Sequence, residues 1–274
     1  MAIDNKTEEV LGSGGQVFVL LHGWGCTLNH MRPLAKLLAT FGQVHSLTLP
    51  GFGGVPMPGE VWGSREYADY VHAYLKSNAL ERPVMAGHSF GGRVCVQLAG
   101  NYPDAVGGLV LIASAGIPTT KTLRKRVRLK YVRFLGKSAA WIDFFVRTRL
   151  KQRHEARFGS VDYRNAGLMR PVLVKVVNED LSAVARTIQT PALLLWGEHD
   201  TETPCEMGRK YSELISGADL VILPGAGHVP FGTMPDLCAT YIKTRLMPRL
   251  AHASRVTEDP ACDSSIRIHE RQHA

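Results

Sequence analysis

Short apolar runs recur along the chain, most of them closed by glycine or small polar residues, and segments of helical spacing lie between them. "QVFVLLHG" predicts a buried strand over residues 17–21. "LNHMRPLAKLLATFG" then reads as a helix with a glycine stop, and "VHSLTLPGFGG" as a strand running into a turn. "SREYADYVHAYLKSN" places Tyr67, Tyr70, Val71, Tyr74 and Leu75 at helical spacing behind a cap at Ser64. "PVMAGH" is a strand, and residues 89–101 a helix. "GLVLIAS", "PALLLWG" (191–197) and "DLVILPG" (219–225) complete the series of apolar strands.

Strands that are apolar on both faces and alternate with helices predict an α/β fold, a mostly parallel central sheet flanked by helices. Residues 117–189 break the rhythm. Leu123, Val127, Tyr131 and Leu135 are spaced four apart, and Met169, Val172, Leu173, Val176 and Val177 form a second helical set. No strand is evident there, so this segment is expected to be a helical lid inserted between strands. The core is then 1–116 with 190–250. Residues 251–274 are polar, mixed in charge and aperiodic, and are expected to form a disordered tail.

The 274 residues suit one large domain carrying one insertion. At 45% hydrophobic and 20% charged, the composition is that of a globular chain. No run approaches 18 apolar residues, so no membrane span is expected. The polar, acidic start "MAIDNKTEEV" does not read as a secretory leader, which points to the cytoplasm. Cys26, Cys95, Cys205, Cys238 and Cys262 are scattered without a C-x-x-C pair and read as reduced thiols. Charge is uneven. Residues 121–157 hold 13 Lys or Arg against two acids, a net +11, which leaves −3 for the rest of a chain of net +8.

The candidate chemistry centres on "AGHSFGGRV". Ser89 sits in G-x-S-x-G between a strand and a helix, where the turn is tight enough to demand glycine at 87 and 91 and lifts the serine oxygen above the strand ends. A serine hydroxyl needs a base. His228, in "LPGAGHVPF" after the last strand, is the candidate, and Asp200, ending "LLLWGEHD", is the carboxylate to orient it. The Phe90 N–H, at a helix start, and the Trp24 N–H, in the glycine-rich "LLHGWGCT", are expected to form the oxyanion hole, with Gly23 letting the backbone approach. Gly23, Trp24 and Phe90 are the expected substrate contacts. H-E-x-x-H, G-x-x-x-x-G-K and a dinucleotide fingerprint are all missing from the sequence, so no metal and no cofactor is expected.

"HGWG", "LPGFG", "GHSFGG", "GEHD" and "GAGH", in this order, resemble the α/β-hydrolase fold superfamily over residues 17–247. The resemblance implies a Ser89–His228–Asp200 triad and a cap that shapes the substrate pocket. The short lid and the HGWG and GHSFGG forms are similar to small carboxylesterases, including the pimeloyl-carrier-protein methyl esterases. The implied activity is cleavage of carboxylic esters through an acyl-enzyme, in a largely apolar pocket expected to suit a medium acyl chain. Carbon–carbon bond hydrolysis or lyase chemistry on the same triad, thioester hydrolysis, and a ligand receptor with little turnover stay open as alternatives. Two departures stand out: Thr48 occupies a position where many members carry Asp, and the short leader leaves the usual antiparallel hairpin shortened or missing.

Other residues have plainer readings. His22 is expected to shape its loop by hydrogen bonding, His88 to point away from Ser89 and support the pocket, and Trp141, Phe144 and Phe145 to form lid core. The basic lid segment, with Arg124, Lys125, Arg126 and Arg128, fits a solvated helical face, a dock for an anionic substrate or an acidic partner such as an acyl carrier protein, or contact with an anionic membrane surface. Nucleic acid is not expected as a partner, because the segment carries no recognised binding motif or paired aromatic platform. The oligomeric state is left open.

Overall fold

The computed structural model describes residues 7–118 and 161–258. Seven strands form one sheet in the order β1-β3-β2-β4-β5-β6-β7. They are β1 Glu8–Leu11, β2 Gln16–Leu21, β3 Gly42–Leu47, β4 Val84–His88, β5 Gly108–Ile112, β6 Ala192–Gly197 and β7 Asp219–Leu223. β1 runs antiparallel to β3, and every other pair is parallel. The expected α/β architecture, a mostly parallel sheet flanked by helices, is the one observed.

Side chains alternate across the pleat, yet both faces are covered, which is why the strand sequences are nearly all apolar. Val19 and Leu21 face one cluster with Tyr67, Val71, Val94, Trp196 and Tyr211. Their neighbours Phe18 and Leu20 face the other, with Met31, Leu34, Leu38, Phe231 and Ile242. The first cluster is covered by helices α2 (Ser64–Ser77) and α3 (Phe90–Asn101). The second is covered by α1 (Leu28–Leu38), whose buried Leu28, Met31, Leu34, Ala35 and Leu38 follow the helical period.

In the 117–189 insertion, the described residues form α4 (Val161–Asn165), α5 (Arg170–Asn178) and α6 (Ser182–Ala185), with no strand among them. Met169, Val172, Leu173 and Val176 are buried, whereas Val177 is 56% exposed. The set Leu123 to Leu135, the aromatics at 141, 144 and 145, and the whole of the basic segment 121–157 lie outside the described residues. After β6 come α7 (Cys205–Leu214), β7, α8 (Pro230–Thr233) and α9 (Pro235–Tyr241). One π-helical turn, Ile242–Leu246, leads into α10, Met247–Glu258.

Two expectations need correction and one is met: the leading antiparallel segment is shortened, to a single strand of four residues. β1 escapes the pattern because "EEVL" opens on two acids, and Arg32 of α1 pins it by donating twice to Glu9, at 2.8 and 3.0 Å. Ser64 is the first helical residue of α2 rather than its cap; the cap is Gly63, whose N–H donates to Glu66 Oε2 at 2.7 Å. The chain past residue 250 is still helical to Glu258, so the start proposed for a disordered tail at 251 is too early; residues 259–274 lie outside the described residues.

The strand order reverses around β2. The chain goes from β2 to β3 on one side, then crosses to β4 on the other. Such a switch point opens a crevice at the carboxyl ends of the strands. The loops carrying Gly23–Trp24 and Ser89 leave β2 and β4 on either side of it, with Leu21 and Gly87 in register.

Candidate active site

All the candidate residues leave the carboxyl ends of parallel strands: Trp24 after β2, Ser89 after β4, Asp200 after β6 and His228 after β7. Ser89 caps α3 with φ +48° and ψ −104°, a left-handed conformation that a residue with a side chain adopts only under constraint. The Ser89 N–H donates to Ile112 O at 3.0 Å, and the Ser89 carbonyl accepts from Arg93 and Ala115, both at 3.3 Å. The turn needs glycine at its base: a Cβ on Gly87 would fall 2.4 Å from Gly91 O, and one on Gly91 2.4 Å from Leu21 O.

Asp200 and His228 are paired. His228 Nδ1 lies 2.8 Å from Asp200 Oδ2. A carboxylate only accepts, so Nδ1 carries the proton and Nε2 keeps its lone pair. Asp200 is 5% exposed, and its Oδ1 takes the N–H groups of Glu202 and Thr203, each at 2.9 Å. Thr203 Oγ1 lies 2.7 Å from Asp200 Oδ2 and gives it the hydroxyl proton. Burial alone would raise the Asp200 carboxyl; the hydrogen bonds from His228 and Thr203 outweigh it and hold the group below the usual carboxylate range. Trp196, fully buried, fixes the Thr203 carbonyl through its indole N–H at 2.8 Å.

Ser89 lines a cavity of about 240 Å3 with Trp24, Phe90, Arg93, Leu173, Val176, Val177, Glu202, Thr203 and Met207 among its walls. Two of these touch His228: Thr203 Oγ1 at 3.2 Å from Nδ1, and Glu202 Oε2 at 3.5 Å from Nε2. His228 thus sits against two residues of the cavity lining, and among the described residues it makes no hydrogen bond to Ser89 Oγ. His88 braces it from behind, with its Nε2–H on the His228 carbonyl at 2.9 Å and its ring 4.8 Å from the His228 ring.

The Gly23 loop closes the other side. The Cys26 N–H donates to Gly23 O at 3.2 Å, making a turn with Gly25 at φ +69° in its third position, as a type II turn requires. A Cβ on Gly23 would stand 2.7 Å from His88 Nδ1 and 3.6 Å from Ser89 Cβ, so the loop meets the elbow only as glycine. His22 shapes this loop: its Nε2 accepts from Leu49 N at 3.0 Å, and its Nδ1–H donates to Gly23 O at 2.7 Å. Among the described residues the Trp24 N–H has no acceptor, and the Phe90 N–H is the first of α3, which no helix can satisfy from within. The Trp24 ring packs edge-on to Phe52 and Phe90, with centroids 4.9 and 5.5 Å away.

Burial pushes His22 down to about 4 and His88 down to about 3, so both are neutral. Burial also raises the Cys26 thiol, assisted by the nearby Asp162 and Glu202, so Cys26 is no thiolate nucleophile. Among the described residues no three His, Cys, Asp or Glu are grouped to hold a metal ion. The described helices include none long and apolar enough to cross a membrane. Thr48 caps α1 with its hydroxyl, 3.3 Å from Leu28 N, far from any acid–base role.

Two residues at the site escaped the sequence reading. Thr203 has no motif signal, since its role depends on a fold-back onto Asp200. Arg93 had one: it is the only ionic residue in a helix that is buried from Phe90 to Ala99.

A family model described as "Alpha/beta hydrolase family" matches residues 18–240. A pimeloyl-[acyl-carrier protein] methyl ester esterase of Chromobacterium violaceum is 31% identical over 83% of this chain and 92% of its own length. The dihydrolipoyllysine-residue acetyltransferase component of an acetoin-cleaving system from Pseudomonas putida is 29% identical over 81% of this chain, which spans 60% of that protein's length. A membrane phospholipase A, a bacterial virulence factor, has the same fold, with a TM-score of 0.68 at 23% identity over 87% of this chain and 82% of its own.

Proposed function

This chain belongs to the α/β hydrolase family, and on that premise we propose that it hydrolyses carboxylic esters through an acyl-enzyme on Ser89. The observation that carries the reading is the 2.8 Å Asp200–His228 hydrogen bond, packed against Glu202 and Thr203 of the cavity lined by a serine held at positive φ on a strand-to-helix turn. Ser89 Oγ attacks the ester carbonyl while His228 Nε2 takes its proton. The new oxyanion accepts from the Trp24 and Phe90 N–H groups, and Asp200 stabilises the imidazolium. The imidazolium proton then goes to the leaving alkoxide, which departs as the alcohol. A water attacks the acyl-serine, gives its proton to His228, and the acid leaves as Ser89 recovers its own.

The apolar wall of Leu173, Val176, Val177 and Met207 and the small cavity volume favour an acyl group of a few carbons. The relatives named for a carrier-protein methyl ester support the ester class, and the net +11 of residues 121–157 is charge that an acidic carrier would meet. The test is burst kinetics on p-nitrophenyl esters of rising chain length, with wild type and Ser89→Ala. A Ser89-dependent burst with a short-chain optimum is expected. Wild-type turnover no faster than that of Ser89→Ala on every ester would overturn the reading. Equal rates on a free and a carrier-linked methyl ester would remove the carrier from it.

A further inference from the structure

Arg93 presents an unexplained charge. It is 8% exposed and lies one helical turn after Ser89, so the two share a face of α3. Its side chain lines the Ser89 cavity. A guanidinium carries five N–H donors in a planar fork. Among the described residues its one acceptor is the Glu179 carbonyl, at 3.4 Å from Nη1. The Glu179 carboxylate is near enough to favour the charge, but its oxygens are bonded by Ser64 N at 3.0 Å and Ser64 Oγ at 2.5 Å rather than by the guanidinium. No carboxylate among the described residues comes within ion-pair distance of Arg93. Burial lowers the guanidinium's hold on its proton, but a guanidinium stays charged. A buried cation with no ion pair among the described residues is costly, and this one lines the cavity that Ser89 lines.

We propose that Arg93 is a carboxylate-binding residue of the substrate pocket, and that the ester cleaved on Ser89 is the half-ester of a short dicarboxylic acid. This rests on the hydrolase reading above. The arrangement of charge says which end of the substrate carries the carboxylate. Asp162 and Glu202 line the same cavity but are exposed, so its rim is negative while its buried wall is positive. An anion on the leaving alcohol would meet the rim. An anion on the acyl arm passes inward to the guanidinium, which matches a carboxylate in a bidentate fork. The methylenes between ester and carboxylate lie along Leu173, Val176 and Met207.

The experiment compares monomethyl glutarate with methyl pentanoate, which has a methyl group in place of the carboxylate, by titrating the acid released. Wild type should favour the half-ester in kcat/KM by at least about tenfold, and Arg93→Met should cut that ratio by on the order of 10- to 100-fold. Arg93→Lys, which keeps the charge without the fork, should fall between. A wild type that treats the two esters alike overturns the proposal, as does an Arg93→Met ratio equal to that of wild type. Calorimetric titration of monomethyl glutarate into Ser89→Ala separates this proposal from the hydrolase reading and needs no Arg93 variant to fold. Binding of the half-ester but not of methyl pentanoate, with no turnover of any ester by wild type, keeps the anion site and overturns hydrolysis. Turnover of neutral esters with no preferential binding of the half-ester overturns the anion site alone.

Discussion

Three carboxylates stand within five residues of one another before α7, and the geometry separates their roles. Glu198 spends Oε2 on the Gly225 N–H at 3.1 Å, on the outer side of the loop. Glu202 approaches His228 at Nε2, the nitrogen that exchanges protons in the proposed mechanism, and its side chain is 66% exposed. Asp200 alone is buried, takes Nδ1, and is held by two backbone N–H groups and the Thr203 hydroxyl. Asp200→Asn would present an N–H or a weaker acceptor to Nδ1 and turn the imidazole to the wrong tautomer. Turnover of p-nitrophenyl acetate should then drop by on the order of 10^3- to 10^4-fold. Glu202→Gln should cost less than about tenfold, as expected for a solvated charge. Equal losses in the two variants would transfer the orienting role to Glu202. The place of Asp200 just past β6 was legible from "GEHD", because a carboxylate at a strand end stands out in sequence. Its anchoring by Thr203 was not, since nothing in a lone threonine says which way its loop folds back.

At the scale of elements, the cavity wall depends on how α5 is held. Glu179, just past the end of α5, takes the Ser64 N–H and hydroxyl at the start of α2, and Gln97 of α3 donates to the same hydroxyl at 3.2 Å. Lys175 adds an ion pair with Glu66 at 2.8 Å. One carboxylate thus serves the open N-terminus of a core helix and fixes the helix that carries Leu173, Val176 and Val177. Glu179→Ala removes both bonds and should destabilise the fold by about 1–2 kcal/mol, the cost of losing a helix cap. KM should rise more than kcat falls, because the wall moves while the proposed triad does not. Thermal unfolding and steady-state kinetics on one short ester check both, and a kcat loss with KM unchanged would contradict the argument. This latch was hidden in the sequence because its partners lie 115 residues apart. By contrast β2, β4, β5 and β6 could be read directly, since a strand buried on both faces has no polar positions to blur it. β1 and the extension of α10 to Glu258 are the opposite case. β1 opens on two acids and the α10 extension is largely polar in sequence, and tertiary contacts such as Arg32–Glu9 settle for β1 what local pattern leaves open.

For the molecule as a whole, the site's histidines tie stability to pH. His22 and His88 hold the two loops that meet at Gly23, and burial pushes them down to about 4 and about 3. In the unfolded chain both titrate near the ordinary value of 6.5. The sign follows from proton counting. Below pH 6.5 the unfolded chain binds protons that the folded chain refuses, so stability is full above that pH and is lost as pH falls toward the folded values. Asp200, held low by its hydrogen bonds, contributes in the same direction at more acidic pH. Between about pH 7 and about pH 5 the two imidazoles should each withdraw up to about 2 kcal/mol, a large share of a typical domain's stability. Urea unfolding at those two pH values measures the difference. His22→Gln retains a donor and an acceptor for Gly23 O and Leu49 N but cannot take up the proton, so it should lower the stability at neutral pH and flatten the slope by about half. A wild-type stability that does not change across this interval would mean that neither imidazole is as shielded as its packing implies. The bracing of Gly23 and of the His228 carbonyl would then have to be assigned to other groups.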